Sequence, residues 1–497
     1  MFDACVTRPV SRVVPAGALL AFLCFACWAA SAPARAQTAD ATGDLPRQLS
    51  ELLAKLPKGT EVGLVVAETG TGEVLFAHRP DALLAPASVQ KLFVTAAALE
   101  RFGPEFEYQT RAYLQDDELR VVGAGDPGFG DERLAERYGR SPNHVFEEWA
   151  AALAARGVTS LRGIILDDSV FDQQVRHPDW PIDQADRWYQ APVGGLNLND
   201  NCLEVSIVVR NQKIELNLQP DIPADMIENK LTRGRKQRAI IKRAPDAEMF
   251  ELAGSVTRSA TLDPACVRQP TAFFGQALRR ALEQRGIKVH GEVVQRRLTA
   301  DETPAASLLA THTTGLPDVL WRANTFSQNM FAECLVKSLA AYEPDGRRSG
   351  TPGSWGAGRS VLQNTLAGIG VDVRTAVVHD GSGLSHADRA TAAQLVRLLV
   401  VMRKHRHADV FLASLTEPGQ PGSMHSRYDE PWLRGRLRGK TGTLKDVRAL
   451  AGYLAAPDGR SLTFALLVNG RSDPSFPAQV CKVLLDANAV PVAGAKR

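Results

Sequence analysis

An excess of charge of either sign is what this chain lacks: 58 Lys and Arg stand against 55 Asp and Glu over 497 residues, a formal net charge of +3. Spread over that length, the balance gives none of the basic footprint a nucleic-acid binder needs. Metal-ligand spacing is missing as well, since the 10 histidines form no HExxH or comparable pattern. The glycine-rich run Gly123-Ala124-Gly125-Asp126-Pro127-Gly128 lacks the lysine and following helix of a phosphate loop and reads as a turn. No repeat of fixed period occurs, and no low-complexity tract lies beyond the N-terminal segment. What is present is an ordinary globular composition, 44% apolar and 23% charged, enough to bury a sizeable core in two or three domains.

The first 36 residues read as an address. Arg8 and Arg12 precede an apolar, small-residue stretch from Val13 to Ala30, and Ala34-Arg35-Ala36 offers a cleavage site before Gln37. The run is too short and too weakly flanked for a stable membrane span, so cleavage after Ala36 and export to the periplasm are expected, with an uncleaved anchor as the alternative. Three of the seven cysteines leave with this segment, and Cys202, Cys266, Cys334 and Cys481 remain, with no CxxC pair among them. An exported compartment permits a Cys202–Cys266 bridge, but buried thiols explain the same residues. Cys334 reads as core.

Leu49, Leu52, Leu53 and Leu56 recur at helical spacing until Pro57-Lys58-Gly59 stops them. Val62 to Ala67 and Val74 to Ala77 then read as a hairpin. Near the other end, Gly442 to Val447, Leu450 to Ala455 and Leu462 to Val468 repeat the strand pattern, and Val480, Val483, Leu484 and Leu485 add a closing helix. Together the two ends predict an α/β (α+β) unit, a five-stranded antiparallel sheet covered by terminal helices. Between them lies a stretch of short strand-like runs and turns that reads as a large, mainly β insertion. The expected division is 1–36 as signal, 44–113 with 303–497 as a discontinuous catalytic domain, and 114–302 as inserted region, with an inner subdomain near 203–255. Lys230 to Arg243 is rich in basic residues and reads chiefly as a solvated hairpin, with a face for an anionic polymer or an acidic partner as the sharper alternative.

Three short patterns carry chemistry. Ser88-Val89-Gln90-Lys91 opens the apolar helical run Leu92 to Leu99, so Lys91 lies one turn beyond Ser88 on the same face. An amine there can act as base for a serine nucleophile, provided that burial or another cation depresses its pKa. Ser327-Gln328-Asn329 follows, where a hydroxyl can relay a proton and an amide can hold a carbonyl. Lys440-Thr441-Gly442-Thr443 opens a strand, where glycine admits a substrate backbone and Lys440 supplies a cation for a carboxylate. Each pattern alone also fits a plain helix start or turn.

In this order and context the three resemble the set shared by penicillin-binding proteins and serine β-lactamases. The long gap from Ser88 to Ser327 is similar to that of the low-molecular-mass class C penicillin-binding proteins, the D-alanyl-D-alanine carboxypeptidase/endopeptidase family. Gly125-Asp126-Pro127, Asp167-Asp168-Ser169-Val170-Phe171, Ala191-Pro192 with Leu198-Asn199-Asp200-Asn201, and Asp380-Gly381-Ser382-Gly383-Leu384-Ser385 resemble it too. The resemblance implies a transpeptidase-like catalytic domain of the penicillin-binding and serine β-lactamase type. It implies Ser88 as acylated nucleophile, Lys91 as base, Ser327 as proton donor to the leaving D-alanine and Asn329 as orienter of the substrate peptide. Lys440 and Thr441 would hold the terminal carboxylate, with Gly442, Thr443 and Ser385 also contacting substrate, and the N–H groups of Ser88 and Thr443 would form the oxyanion hole.

No cofactor or metal is implied. The implied partners are peptidoglycan stem peptides and cross-links, with β-lactams as covalent inhibitors; no nucleic acid is expected, and a homo-oligomer is left open. One departure stands out: the arginine that commonly follows the Asp-Gly-Ser-Gly-Leu-Ser run is replaced by His386, with Arg389 near enough in sequence to substitute. A serine β-lactamase and a catalytically silent wall-binding scaffold are the rival readings.

Overall fold

The computed structural model describes residues 44–211 and 213–486, so the expected signal segment lies outside the described residues. The two ends of this span meet in one antiparallel sheet. Its strand order is Leu437–Leu444, Val447–Ala455, Ser461–Asn469, Glu61–Glu68 and Val74–His78. The central strand is buried on both faces, because strand side chains alternate and each face has its own cover. Leu462, Phe464, Leu466 and Val468 join Leu49 and Leu484 of the terminal helices Asp44–Leu53 and Phe476–Asp486. Ala465 and Leu467 face the opposite way, into a core shared with Leu395 and Leu399 of the helix Ala392–Arg403. Each large aliphatic side chain sealed in this way contributes about 1.5–3 kcal/mol.

The sequence placed the first edge strand at 442–447, whereas it runs from Leu437 to Leu444 and turns at Asp446, which has φ 55°. Arg438 and Gly439 hide its start from a pattern search. Gly439 is required there by packing, since a Cβ would meet the Ala451 carbonyl at 2.5 Å. Lys440 and Thr441 therefore sit in mid-strand, braced by Val447–Ala455, and not at a fraying end.

A second five-stranded sheet has the order Val293–Gln295, Gly163–Asp167, Glu118–Val122, Glu107–Gln115, Leu308–Gly315. Its two outermost strands in sequence begin at 107 and end at 315, so this sheet extends past the expected 114–302 limits on both sides. To the strands expected here the fold adds two long helices, His144–Ala155 and Pro270–Gln284. They seal the sheet with Phe146, Trp149, Phe273 and Phe274, and Phe129 lies 4.9 Å from Phe274, ring centre to ring centre. The inner part is mainly strand: a hairpin of Cys202–Arg210 and Lys213–Gln219, a short helical turn Ala224–Met226, then a small sheet of Ile227–Arg233, Ile240–Arg243 and Phe250–Val256. Cys202 and Cys266 are register partners on adjacent strands, yet all four remaining cysteines are buried free thiols. Asp167 and Asp168 are structural: Asp167 accepts from the Ser169 and Leu298 amides, and Asp168 from Thr271 and Gln295. Among the described residues no helix is long and apolar enough to cross a membrane.

Candidate active site

Ser88 sits in a short helical turn, Ala87–Gln90, that leads directly into the helix Lys91–Phe102. Ala87 has φ 47°, a conformation that costs a non-glycine residue roughly 1–2 kcal/mol. Such strain persists only where the surroundings over-determine it. Here they do. Pro86 and Ser88 press against the edge strand so closely that a Cβ on Gly442 would lie 2.8 Å from the Pro86 carbonyl oxygen and 3.1 Å from the Ser88 nitrogen. The glycine expected to admit substrate therefore admits the turn that carries Ser88.

Lys91 is 0% exposed and reaches the Ser88 hydroxyl at 3.1 Å, one helical turn away as the spacing predicts. Its ammonium also donates to Asn329 Oδ1 at 2.7 Å and to the Ser382 carbonyl at 2.9 Å. Burial depresses its pKa from 10.5 to about 7, against the pull of Glu333, Asp380 and Asp388. That is the condition a lysine must meet to serve as base near neutral pH.

The second pattern lies in the link between the helices Leu316–Thr325 and Asn329–Ala341. Ser327 has φ 60°, which breaks what the apolar spacing from Asn324 to Leu335 suggests is one helix or its entrance. Asn329 is held at both ends of its amide, accepting from Lys91 and donating to the Tyr189 carbonyl at 2.7 Å. Lys440, also 0% exposed, donates to Ser327 Oγ at 2.8 Å and to the Thr441 carbonyl at 2.9 Å. Burial, then the nearby Lys91 and Arg427 charges, push its pKa well below the usual lysine value. Ser88, Lys91 and Asn329 thus form one hydrogen-bonded set and Ser327 with Lys440 a second, lying together in a seam built from parts of the chain that are far apart in sequence.

This seam forms the floor of a cleft of about 690 Å³, into which Ser88, Ser327, Asn329, Thr441 and Thr443 open. The inserted region supplies a facing wall, Pro181, Gln184, Trp188 and Tyr189. Two expected contacts are placed differently. Ser385 is 1% exposed and outside the cleft lining; its hydroxyl donates to Asp179 at 3.1 Å, while neighbouring Leu384 and His386 reach the cleft. Lys440 is sealed beneath the cleft, because its ammonium is turned toward Ser327 and its own strand. Arg389, the suggested substitute at the loop, spends its guanidinium on the His386 and Asp388 carbonyls, so His386 faces the cleft in its place.

Several supports escaped the motif search. Glu333 accepts from Trp355 Nε1 and from the Gly381 and Ser382 amides, each at 2.8 Å, fixing the carbonyl that binds Lys91. Burial, then the Asp380 charge, raise its pKa to about 7. Its one signal was a carboxylate amid the otherwise apolar run Phe331-Ala332-Glu333-Cys334-Leu335. Asp380 accepts from Trp180 Nε1 at 2.9 Å, tying the inserted region to the same loop. Arg322 binds Asp131 at 2.7 Å and Asp200 at 2.8 Å, and Asp200 also receives a hydrogen bond from Gln328. Nothing local in the sequence marks these pairs.

The sequence profile of the D-Ala-D-Ala carboxypeptidase 3 (S13) family matches residues 45–485. The chain belongs to this family. It is accordingly a serine-type carboxypeptidase. A D-alanyl-D-alanine carboxypeptidase of an Actinomadura species is 31% identical over 448 residues, 84% of this chain and 79% of that protein. The D-alanyl-D-alanine carboxypeptidase DacB of Haemophilus influenzae is 24% identical over 448 residues, 85% of this chain and 88% of that protein. The crystal structure of penicillin binding protein 4 (dacB) from Haemophilus influenzae shares the fold, with TM-score 0.71 at 21% identity, covering 88% of this chain and 98% of that one. A second structure of that protein, with TM-score 0.66, holds a β-lactam. The class C resemblance read from the motifs is borne out by the family match.

Proposed function

We propose that Ser88 is the acylated residue of a periplasmic D-Ala-D-Ala carboxypeptidase and endopeptidase acting on peptidoglycan stem peptides and cross-links. Neutral Lys91 takes the Ser88 proton as Oγ attacks the D-alanyl carbonyl. The N–H groups of Ser88 and Thr443 receive the oxygen as it becomes negative. Because Ser327 Oγ accepts from Lys440, its own proton is free to pass to the departing amine, and the proton that Lys91 took from Ser88 makes up the balance. Water, activated by the same base, then releases the acyl group and returns Ser88. A β-lactam carbonyl fits the same path and traps Ser88.

The observation that carries this reading is the 3.1 Å contact between Ser88 and a lysine whose pKa burial lowers to about 7. The division into a catalytic body and an inserted region belongs to the same proposal, with the insertion as the substrate-facing wall. Labelling with a fluorescent penicillin tests it: Ser88→Ala should remove the covalent band, and undiminished labelling of the variant removes Ser88 from its role. Release of D-alanine from a muropeptide, set beside antibiotic turnover, separates this activity from a β-lactamase; fast antibiotic destruction without D-alanine release favours the latter. Peptide binding with neither reaction would leave only a scaffold.

A further inference from the structure

A carboxylate next to the reacting nitrogen needs a cation that faces the cleft, and the buried seam does not offer one. Lys91 and Lys440 are both 0% exposed, and their ammonium groups are committed to Ser88, Asn329 and Ser327 and to the carbonyls of Ser382 and Thr441. Thr441 and Thr443 are two residues apart on one strand, so their hydroxyls fall on the same face. Thr441 Oγ1 donates to Ser423 at 3.0 Å. Arg427 Nη1 donates to Thr443 Oγ1 at 3.1 Å. All four residues line the cleft that holds Ser88.

Resting on the acyl-enzyme reading above, we infer that Arg427, and not Lys440, is the cation that binds the free carboxylate of the leaving amino acid. Among the described residues no carboxylate pairs with Arg427, so its charge is available to a ligand. Its segment is preorganised: Met424 and Tyr428 on either side are buried in the core beneath the terminal helices. A planar guanidinium offers a fork to a carboxylate, and the Thr443 hydroxyl beside it, with that of Thr441 on the same strand face, completes the cradle. The chemistry selected is an amino acid with its free carboxylate on the carbon bonded to the scissile nitrogen. Terminal D-alanine has that group, and so does a cross-linking diamino acid joined through the amine of a centre that keeps its own free carboxylate. One anchor therefore serves both leaving groups. Lys445 also faces the cleft, but from beyond the strand end.

The full chain and its Arg427→Gln, Arg427→Lys and Lys445→Gln variants should be compared for second-order acylation by benzylpenicillin and by its methyl ester, which lacks the negative charge. The wild type should prefer the acid. Arg427→Gln should lose on the order of tenfold to a hundredfold with the acid, with less than about a threefold change with the ester. Arg427→Lys, which keeps charge but loses the fork, should fall between, and it keeps the comparison open if the glutamine variant does not fold. Lys445→Gln should change the preference less than about threefold. Equal losses on acid and ester, unchanged preference in Arg427→Gln, or a lost preference in Lys445→Gln instead, would each overturn the assignment while leaving the acyl-enzyme reading intact. A wild type inert to both compounds would sink that reading and this one together.

Discussion

Two regions of this molecule are rich in basic residues and use them in opposite ways. In the buried seam, Lys91 and Lys440 are sealed from water and hydrogen-bonded to neutral oxygens, so burial pulls their pKa values down. In the inner strands of the inserted region, Lys230 is half exposed and binds Glu228 at 2.8 Å and Glu251 at 3.2 Å, and these carboxylates raise its pKa. Lys242 shares Glu251 at 2.9 Å. The difference teaches that a lysine becomes a base through desolvation without a paired anion, whereas a solvated lysine beside carboxylates is only a fixed charge. Arg427 is a third case, a guanidinium in the cleft bonded to a threonine hydroxyl and to no carboxylate among the described residues.

The contrast is broken most severely by removing the buried amine. Lys91→Ala should lower the rate of penicillin acylation by about a thousandfold or more, and Lys91→Arg should not restore it, because a guanidinium does not deprotonate. Stopped-flow acylation kinetics measure both, and a fall under tenfold would separate Lys91 from the proton transfer.

Next in size is the join between the bodies. Arg322→Ala leaves Asp131 and Asp200 without their shared cation, and loss of one partner from a buried pair costs about 3–5 kcal/mol. A fall in melting temperature should accompany weakened acylation, since Asp200 also holds Gln328 beside Ser327. An unchanged melting curve would mean that the inserted region does not brace this link.

A smaller effect follows from titration. Lys91 works as a base only without its proton, so acylation should rise as pH climbs through about 7 and level off above it, a change of roughly tenfold from pH 6 to 8. Glu333 favours the charged lysine, so Glu333→Gln should move this rise to lower pH. A pH-rate profile checks both, and a flat profile would remove Lys91 as the titrating group. The least effect belongs to the other side of the comparison: Lys230→Ser should alter stability by no more than about 0.5 kcal/mol and leave acylation unchanged. A large loss there would give the basic strands a role that their solvation does not suggest.

The three patterns of the candidate site were legible because each is local: four residues across one helix start, three at a helix link, four on one strand. The sheet was legible too, because Val62 to Ala67 and Leu462 to Val468 are long β-rich runs. What escaped was whatever depends on contacts between distant segments. The Arg322 pairs, the Glu333 brace and the Trp180 bond to Asp380 join residues with no shared pattern. Ser385 turns to Asp179 and away from the cleft lining, and a loop's sequence does not say which of its side chains turns inward.

By itself the sequence determined which groups are available: a hydroxyl with an amine one turn away, a second hydroxyl with an amide, and a strand carrying lysine, threonine and glycine. Helical and strand periodicity fix such neighbours without help from the rest of the chain. Only the tertiary structure decided which of these groups keep their charge and which face the cleft, because desolvation depends on what distant segments pack over a side chain. Lys440 illustrates both halves: its identity was plain in one dimension, and its burial beneath Ser327 exists only in three.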